Sequence, residues 1–139
     1  MKKILFAALV LTVLFTAACT KQNEQVLVRF QNATDSNIEE SLMSSEDSIL
    51  TDVGPISAGE TTDYIVFDYF EVGYYPGGDS KHPRGSLIGK KDGVEFSAWS
   101  GNWCGTGVEY KQLEPGKYTL KIVELGSDAP WTYQINFVD

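Results

Sequence analysis

Hydrophobic and polar residues alternate with a period of two along most of the chain from residue 26 onward, a pattern typical of half-buried β-strands. At residues 26–31, Val26, Val28 and Phe30 fall on one face of such a strand and more polar positions on the other. Residues 32–37 are polar and predict a turn.

The middle of the chain predicts further short strands separated by turns. Residues 38–43 suit either a strand or a helical turn, and residues 49–53 suit a third strand. Residues 54–60 contain Gly and Pro and predict a loop. Residues 62–75 are rich in β-branched and aromatic side chains, but they are about twice the usual strand length, so we expect two strands broken near Asp68.

The second half of the chain predicts two strand pairs. Residues 87–90 and 93–99 form a candidate hairpin, because the Asp-Gly step at its turn readily takes the positive φ angles that tight hairpins need. Residues 117–122 and 131–137 alternate most regularly and predict an antiparallel pair. No segment predicts a helix longer than a turn or two.

Seven to nine short strands with frequent turns favour an all-β fold, a single antiparallel β-sandwich over residues 26–139. Residues 113–120, Leu-Glu-Pro-Gly-Lys-Tyr-Thr-Leu, resemble the entry to a late strand in immunoglobulin-like, fibronectin type III-like and transthyretin-like sandwiches. The resemblance implies that the hydroxyl of Tyr118 bonds back to the preceding corner. It implies no activity, since such domains serve many functions.

The amino terminus has the layout of a secretory signal. Residues 1–3 are a basic start, residues 4–15 are almost entirely apolar, and residues 16–18 are small and precede Cys19. The apolar run is shorter than the roughly 20 residues of a bilayer span. Residues 16–19, Thr-Ala-Ala-Cys, resemble the lipobox of bacterial lipoproteins, which implies cleavage before Cys19 and attachment of acyl chains to it.

The resemblance divides the chain into a signal peptide at 1–18, a lipidated cysteine with a short tether at 19–25, and the domain at 26–139. Composition is similar to that of small uncharacterised Gram-negative lipoproteins that join a lipobox to one sandwich domain. Residue 20 is Thr, whereas Asp at this position is typical of inner-membrane retention in that family. We therefore expect a cell-envelope protein anchored to the outer membrane of a Gram-negative bacterium.

Charge and cysteine content narrow the set of partners. Without Lys2 and Lys3, 9 basic residues remain against 19 acidic ones, a balance of −10. Such a chain repels nucleic acid and anionic lipid at long range, so neither nucleic acid nor anionic lipid is an expected partner. If Cys19 carries lipid, Cys104 has no partner for an internal disulfide. We interpret Cys104 as a buried apolar group, with a free thiol as the alternative.

The sequence predicts neither catalysis nor a cofactor. His82 and Cys104 are the one histidine and the one thiol free of lipid, and a nucleophilic pair would require the fold to bring them together. One Cys and one His cannot build a zinc site, and the acidic residues lack the regular spacing of a calcium loop. We therefore predict no enzyme, no cofactor and no metal site.

Three features are candidate surface sites. Tyr74, Tyr75, Trp99 and Trp103 lie beside glycine-rich turns and could present flat faces to a sugar or a protein, and Trp99 is out of phase with its apolar neighbours, which favours an outward orientation. Residues 81–91 hold four basic side chains, Lys81, Arg84, Lys90 and Lys91, which we interpret as the charges of a polar hairpin that keep an edge strand from pairing with neighbours. The alternative is a site for a phosphate, an acidic glycan or the anionic headgroups of the membrane. Asp47-Ser48-Ile49 resembles a periplasmic O-glycosylation acceptor, with Ser48 as the modified residue.

Three hypotheses follow for function. The first is a non-enzymatic, lipid-anchored accessory of the cell envelope that binds a partner or supports structure. The second is a glycan- or peptide-binding module that uses the four aromatic rings, which an exposed cluster of at least three of them would favour. The third is a thiol-dependent enzyme, which requires Cys104 and His82 to be neighbours.

Overall fold

The computed structural model describes residues 25–46, 49–74, 81–100, 107–126 and 132–138, and the regular structure within them is all β. The described residues form eleven strands: β1 Val26–Asn32, β2 Ile38–Glu46, β3 Ile49–Asp52, β4 Ile65–Phe67, β5 Glu71–Tyr74, β6 Lys81–Pro83, β7 Ser86–Lys91, β8 Val94–Trp99, β9 Glu109–Gln112, β10 Gly116–Glu124 and β11 Tyr133–Phe137. Within these ranges, no helix is long and apolar enough to cross a membrane.

The strands form two sheets around one core. The large sheet has the order β3-β2-β7-β8-β11-β10-β1-β4, and the small sheet has the order β6-β5-β9. Alternate residues of the central large-sheet strands point inward, as Val26, Val28 and Phe30 do in β1. They pack with Phe70 and Val72 of the small-sheet side into a single hydrophobic cluster. The predicted all-β class is therefore confirmed.

The prediction of a purely antiparallel arrangement was wrong, because the large sheet is mixed. β1 pairs with β10 in parallel, with Val26 opposite Gly116, and β8 pairs with β11 in parallel through Ala98 and Trp99. Alternation of polar and apolar residues defines which face of a strand is buried. It carries no information on strand direction, so the sequence pattern could not distinguish the two arrangements.

The segment between β3 and β4 joins the two ends of the large sheet. Ile56 exchanges backbone hydrogen bonds with Ile38 at the start of β2, and Thr61 bridges Gln31 near the end of β1. The predicted loop at residues 54–60 thus follows the sheet rather than leaving it. The large sheet is nearly closed as a result.

A buried asparagine holds this junction in place. The Asn32 side chain is fully buried and donates hydrogen bonds to the carbonyl oxygens of Ser36 and Ile56, at 2.9 and 3.0 Å. Its Oδ1 accepts from the backbone N–H and hydroxyl of Thr34, at 3.0 and 2.7 Å. A buried amide is tolerated only with its partners in place, so Asn32 fixes the path of both loops.

Most local predictions agree with the structure. Residues 38–43 form a strand, residues 62–75 split into β4 and β5 in different sheets, and residues 117–122 pair antiparallel with the end of the chain. The predicted hairpin joins β7 and β8 through Asp92 and Gly93, with φ angles of 52° and 74°. Strands β6 and β9 were not predicted, since they are short and β9 is exposed along its length.

The predicted tyrosine corner is also present as a local contact. The Tyr118 hydroxyl donates a hydrogen bond of 2.8 Å to the carbonyl oxygen of Glu114. Burial raises the pKa of the Tyr118 hydroxyl above its ordinary value, and the nearby Glu114 and Tyr74 add to this. The phenol therefore stays protonated and keeps donating at neutral pH.

Candidate binding surface

The outward face of β2, β7 and β8 carries two rows of side chains that cross the strands. Leu42 lies opposite Ile88, which lies opposite Ser97. In an antiparallel sheet such partners point to the same side. The neighbouring row consists of acidic and basic residues, Glu40, Lys90 and Glu95. One row is therefore largely apolar and the other charged.

A groove of about 560 Å³ lies over these two rows. The side chains of Leu42 and Ile88 are among its lining, with Ile88 37% exposed. Pockets for ligands are commonly apolar with a few polar groups that fix orientation. We call this depression the outer groove.

The floor of the outer groove depends on a glycine. The β2–β7 register shifts between Ile38 and Glu40, and at this bulge a Cβ on Gly89 would lie 2.0 Å from the carbonyl oxygen of Glu40. It would also lie 3.0 Å from the Phe96 ring. Only glycine allows the strands to approach this closely.

Ser97 brings an unsatisfied hydroxyl to the outer groove. Its Oγ is buried and makes no hydrogen bond within the described part of the chain. A buried hydroxyl without a partner costs about 1–3 kcal/mol. An occupant of the outer groove with a polar atom could satisfy it.

The rim of the outer groove is charged on one side. Lys90 Nζ lies 3.4 Å from Glu40 Oε2, and both side chains are largely exposed. Glu95 lies opposite Lys90 on β8. Exposed pairs of this kind contribute little stability, so these charges can turn toward an occupant at small cost.

Trp99 lies one row further along the same face. It pairs with Ser86 on β7, and its side chain is 37% exposed. The predicted outward orientation of Trp99 is confirmed. Trp99 is not among the residues that line the outer groove; it lies beside the groove, where β8 pairs with Gln134 of β11.

Tyr74 belongs to a different surface. It lies on β5 of the small sheet, packs against the hydrophobic core, and has the Lys111 ammonium 5.7 Å from its ring centroid. The sequence grouped Tyr74 with Trp99, whereas the fold places them in separate sheets. Tyr75 and Trp103 lie outside the described residues, as do Cys19, Ser48 and Cys104, so the predictions made for them stay predictions.

The small sheet carries an ion pair rather than an open site. Arg84 binds the Glu71 carboxylate and lies over the Tyr110 ring at 4.5 Å, while the Tyr69 hydroxyl donates to Glu71 at 2.5 Å. Burial alone would raise the pKa of Glu71, but the hydrogen bonds from Tyr69 and Arg84 outweigh it and hold the pKa below its ordinary value. Glu71 is therefore a partnered carboxylate, not a poised base.

His82, the one histidine of the chain, lies in a strand of the small sheet. It lies in β6 opposite Gly73 and is half-buried, and this burial lowers its pKa below the ordinary value. Among the described residues, no group of three or more His, Cys, Asp or Glu side chains could hold a metal ion.

The four basic residues of segment 81–91 do not form one patch. Lys90 points outward and Lys91 inward, and Arg84 pairs with Glu71 near the small sheet. Strands β7 and β8 lie inside the large sheet, so the interpretation as edge-strand charges was wrong for Lys90 and Lys91. Lys81 does lie on an edge strand, β6 of the small sheet.

Lys91 is the most constrained of these cations. Its side chain is 11% exposed, and its Nζ lies 2.9 Å from Glu124 Oε2 and 3.2 Å from the Tyr133 hydroxyl. The hydrogen bond to Glu124 raises the pKa of Lys91 above its ordinary value; burial opposes this, and the bond to Tyr133 adds to the rise.

The sequence pattern did not identify the outer groove. Leu42 and Ile88 occupy outward positions of their strands, and apolar residues in that phase are a signal that sequence alone could have supplied. The pairing that brings them beside Ser97 is set by the sheet order, which no local pattern predicts.

Comparison with known proteins adds no family. No protein-family model matches the chain, and no curated protein matches it. Among solved structures, an NMR structure of a protein from Eubacterium rectale is similar, with 15% sequence identity and a TM-score of 0.49 over 82% of this chain and 88% of that one. Any inference about function therefore depends on the surface itself.

Proposed function

We propose that the protein is a lipid-anchored, non-enzymatic binding protein of the bacterial cell envelope, which holds a protein partner in the outer groove. The observation that carries the binding role is the groove of about 560 Å³, whose lining includes Leu42, Ile88 and the unsatisfied Ser97 hydroxyl. The anchor is supported by the lipobox-like residues 16–19.

The proposed anchor would keep the groove near a membrane. Cys19 precedes Gln25 by six residues, and Val26 already belongs to the core. An extended tether of this length reaches about 20 Å. Partners held in the outer groove would therefore be held at the membrane surface.

A protein partner fits the outer groove better than a sugar does. The Leu42–Ile88 row offers an apolar floor, and the charged Glu40–Lys90–Glu95 row offers a polar rim, which together resemble the usual anatomy of a protein interface. A glycan-binding module is the second candidate, and the outward Trp99 ring favours it, because sugars stack on flat aromatic faces.

The finer description of the fold is part of the proposal. The two sheets are proposed to pack as an immunoglobulin-like or transthyretin-like sandwich. The shared core of Phe70 and Val72 with Phe30, together with the Tyr118 corner, supports this reading. An experimental structure with the small sheet packed face to face on the large one would test it.

The binding role is tested by crosslinking in cells. A photoreactive amino acid replaces Ile88 in the outer groove, and a matched variant carries it at Val94, which is 69% exposed in the same hairpin but outside the groove. We expect one dominant crosslinked envelope protein from position 88, absent from position 94 and lost on adding Leu42→Glu. Equal crosslinking from both positions would refute the groove as the binding site.

Trp99→Ala separates the two candidates. A protein partner should still crosslink from position 88, with reduced yield, whereas sugar binding should be abolished. Retention on immobilised envelope glycans, measured for the native protein and for Trp99→Ala, provides this comparison. Retention that depends on Trp99 would favour the glycan module over the protein partner.

The anchor has a separate test. Mass spectrometry of the protein extracted from membranes should show acyl chains on Cys19, and Cys19→Ala should leave the protein unacylated and outside the membrane fraction. A Cys19→Ala variant that stays membrane-bound would contradict the proposal.

A further inference from the structure

The outward face of β4, β1, β10 and β11 differs in charge from the rest of the protein. The outward positions of β1 are Leu27, Arg29 and Gln31, and their partners on β10 are Lys117, Thr119 and Lys121. The outward positions of β4 and β11 add Val66, Gln134 and Asn136. These positions hold three cations and no carboxylate in a chain with a formal charge of −8. We call this surface the basic face.

An exposed tyrosine lies between two of the cations. The Arg29 guanidinium lies 5.0 Å from the Tyr64 ring centroid, and the Lys117 ammonium lies 5.2 Å from it. Arg29 also donates a hydrogen bond of 3.0 Å to Thr119 Oγ1. Within the described ranges no carboxylate pairs with Arg29, Lys117 or Lys121, so their charge is available to an external anion.

The basic face belongs to the part of the fold where the proposed tether leaves. β1 begins at Val26, and Lys117 lies opposite Leu27, the second residue of this strand. Lys117 is therefore close to the point where the proposed tether joins the domain. A tether that reaches about 20 Å from Cys19 keeps this part of the domain beside the bilayer. The acidic residues elsewhere on the protein repel anionic lipid only weakly in this arrangement, because salt screens their charge beyond a Debye length of about 8–10 Å.

We propose that the basic face docks on the anionic phospholipid headgroups of the membrane that holds the anchor, an inference that rests on the proposed lipid anchor. Arg29, Lys117 and Lys121 contact the headgroup phosphates. Tyr64 and Val66, which is 46% exposed, enter the interfacial layer, where amphipathic aromatic rings are favoured.

The acidic groups near the tether define the orientation. Asp68 and Glu114 line a pocket with Gln25 at the end of the sheet from which the proposed tether leaves. The domain therefore lies on its side, with the basic face rather than the strand ends against the bilayer. The outer groove lies on β2, β7 and β8, strands that do not contribute to the basic face, and it therefore stays open to a partner.

The test uses the full-length protein extracted from membranes and reconstituted into phosphatidylcholine vesicles with or without phosphatidylglycerol. An amine-reactive reagent labels exposed lysines, and mass spectrometry measures each site. We expect labelling of Lys117 and Lys121 to fall about threefold or more in the anionic vesicles, and high salt to restore it. Labelling of Lys81 and Lys90, outside the basic face, should not change.

A variant pair sharpens the same measurement. The double variant Lys117→Glu and Lys121→Glu should no longer lie with the basic face on the bilayer. A carboxylate-coupling reagent should then label the two introduced glutamates equally in vesicles with and without phosphatidylglycerol. The matched Lys81→Glu variant should keep the protection of Lys117 and Lys121. Since these side chains are exposed, the variants should fold, which circular dichroism verifies.

The outcomes separate the docking from the anchor. Acylated protein with unchanged Lys117 and Lys121 labelling overturns the docking and leaves the anchor standing. Protein without acyl chains that still floats with anionic vesicles, with both lysines protected, overturns the anchor and supports the docking. Protein that lacks acyl chains and shows no protection of the two lysines overturns both the anchor and the docking. Protection of the lysines in native envelopes but not in vesicles indicates a protein partner and overturns lipid docking.

Discussion

The basic face and the outer groove are two halves of one sheet with similar inward sides and contrasting outward sides. On the inward side, both halves bury large apolar residues, such as Phe30 in one half and Leu87 in the other. Outward, the basic face has cations without carboxylates, whereas the rim of the groove combines Glu40 and Glu95 with Lys90. The inward positions are constrained by the core, so the outward positions are where function can differ.

The two halves meet through few contacts. On one side, β8 and β11 share only a short parallel register at Ala98 and Trp99. On the other side, the Asn32 side chain binds two loops, the one that joins β1 to β2 and the one that joins β3 to β4. Next to the Asp92-Gly93 turn, Lys91 of β7 binds Glu124 of β10 and Tyr133 of β11.

Asn32→Ala should give the largest effect, because it removes the hydrogen bonds that hold the junction between the halves. Buried partners such as Thr34 and the Ile56 carbonyl would lose their bonds, at a cost of about 3 kcal/mol in the free energy of unfolding. Urea unfolding measures this loss. The control Asn37→Ala removes one exposed bond to Ala58 in the same junction and should cost less than about 1 kcal/mol. Equal losses would show that Asn32 has no special role.

Gly89→Ala should disturb the groove half alone. The added Cβ meets the Glu40 carbonyl oxygen, a backbone atom that cannot move without shifting β2, so we expect a loss of about 2–3 kcal/mol. The control Gly126→Ala adds a Cβ with nothing within 4 Å and should change stability little. Thermal unfolding of both variants checks this, and the crosslink from position 88 should disappear only in the first. A Gly89→Ala variant as stable as the Gly126→Ala control would be evidence against the close approach.

Lys91→Met should weaken the link between the halves by about 1 kcal/mol, since Glu124 is partly exposed and can regain water. The native pKa of Lys91 is raised above the ordinary value of 10.5. Its contribution is therefore complete below that value and is lost as the pH rises through the folded-state pKa.

The difference in melting temperature between the native protein and Lys91→Met should stay constant from neutral pH to about pH 10 and then shrink. The control Lys90→Met removes an exposed pair with Glu40 and should cost less than about 0.5 kcal/mol at all pH values. A constant difference through strongly alkaline pH would contradict the assigned role of Lys91.

Tyr64→Leu should have the smallest effect on stability and a clear one on the basic face. Its exposed cation–π contacts with Arg29 and Lys117 contribute about 0.5–1 kcal/mol each at most. Protection of Lys117 in anionic vesicles should weaken, while Tyr110→Leu, which removes a similar contact with Arg84, should leave it unchanged. Identical labelling in both variants would remove Tyr64 from the proposed docking surface.

The sequence predicted the positions of most strands and the Tyr118 corner, but not the order or direction of the strands in the sheet. The alternation in Val26–Phe30 and the Asp92-Gly93 turn are local signals, and both match the structure. The Tyr118 hydrogen bond spans four residues and was likewise accessible. By contrast, the partner of β1 is decided by contacts that span most of the chain, so the parallel pairing with β10 could not be predicted from local pattern.

The candidate site was predicted less well than the strands. Trp99 was placed outward correctly because orientation follows from phase within one strand. Its grouping with Tyr74 stays a prediction: the fold places the two residues in separate sheets, and sheet order is not readable from local pattern. The outer groove arises from the bulge at Glu40 and the close approach at Gly89, and neither has a sequence signature beyond a single glycine.

The parallel pairing of β1 with β10 has a consequence for how the protein is made. Arg29 and Thr119, which face each other in this pair, are separated by 90 residues of chain. One edge of β1 therefore stays without its partner strand until nearly all of the polypeptide has been synthesised. Contacts between residues so far apart in the chain also slow folding. A chain that waits this long for its last strands exposes apolar surface and an unpaired strand edge, so its folding depends on protection from aggregation.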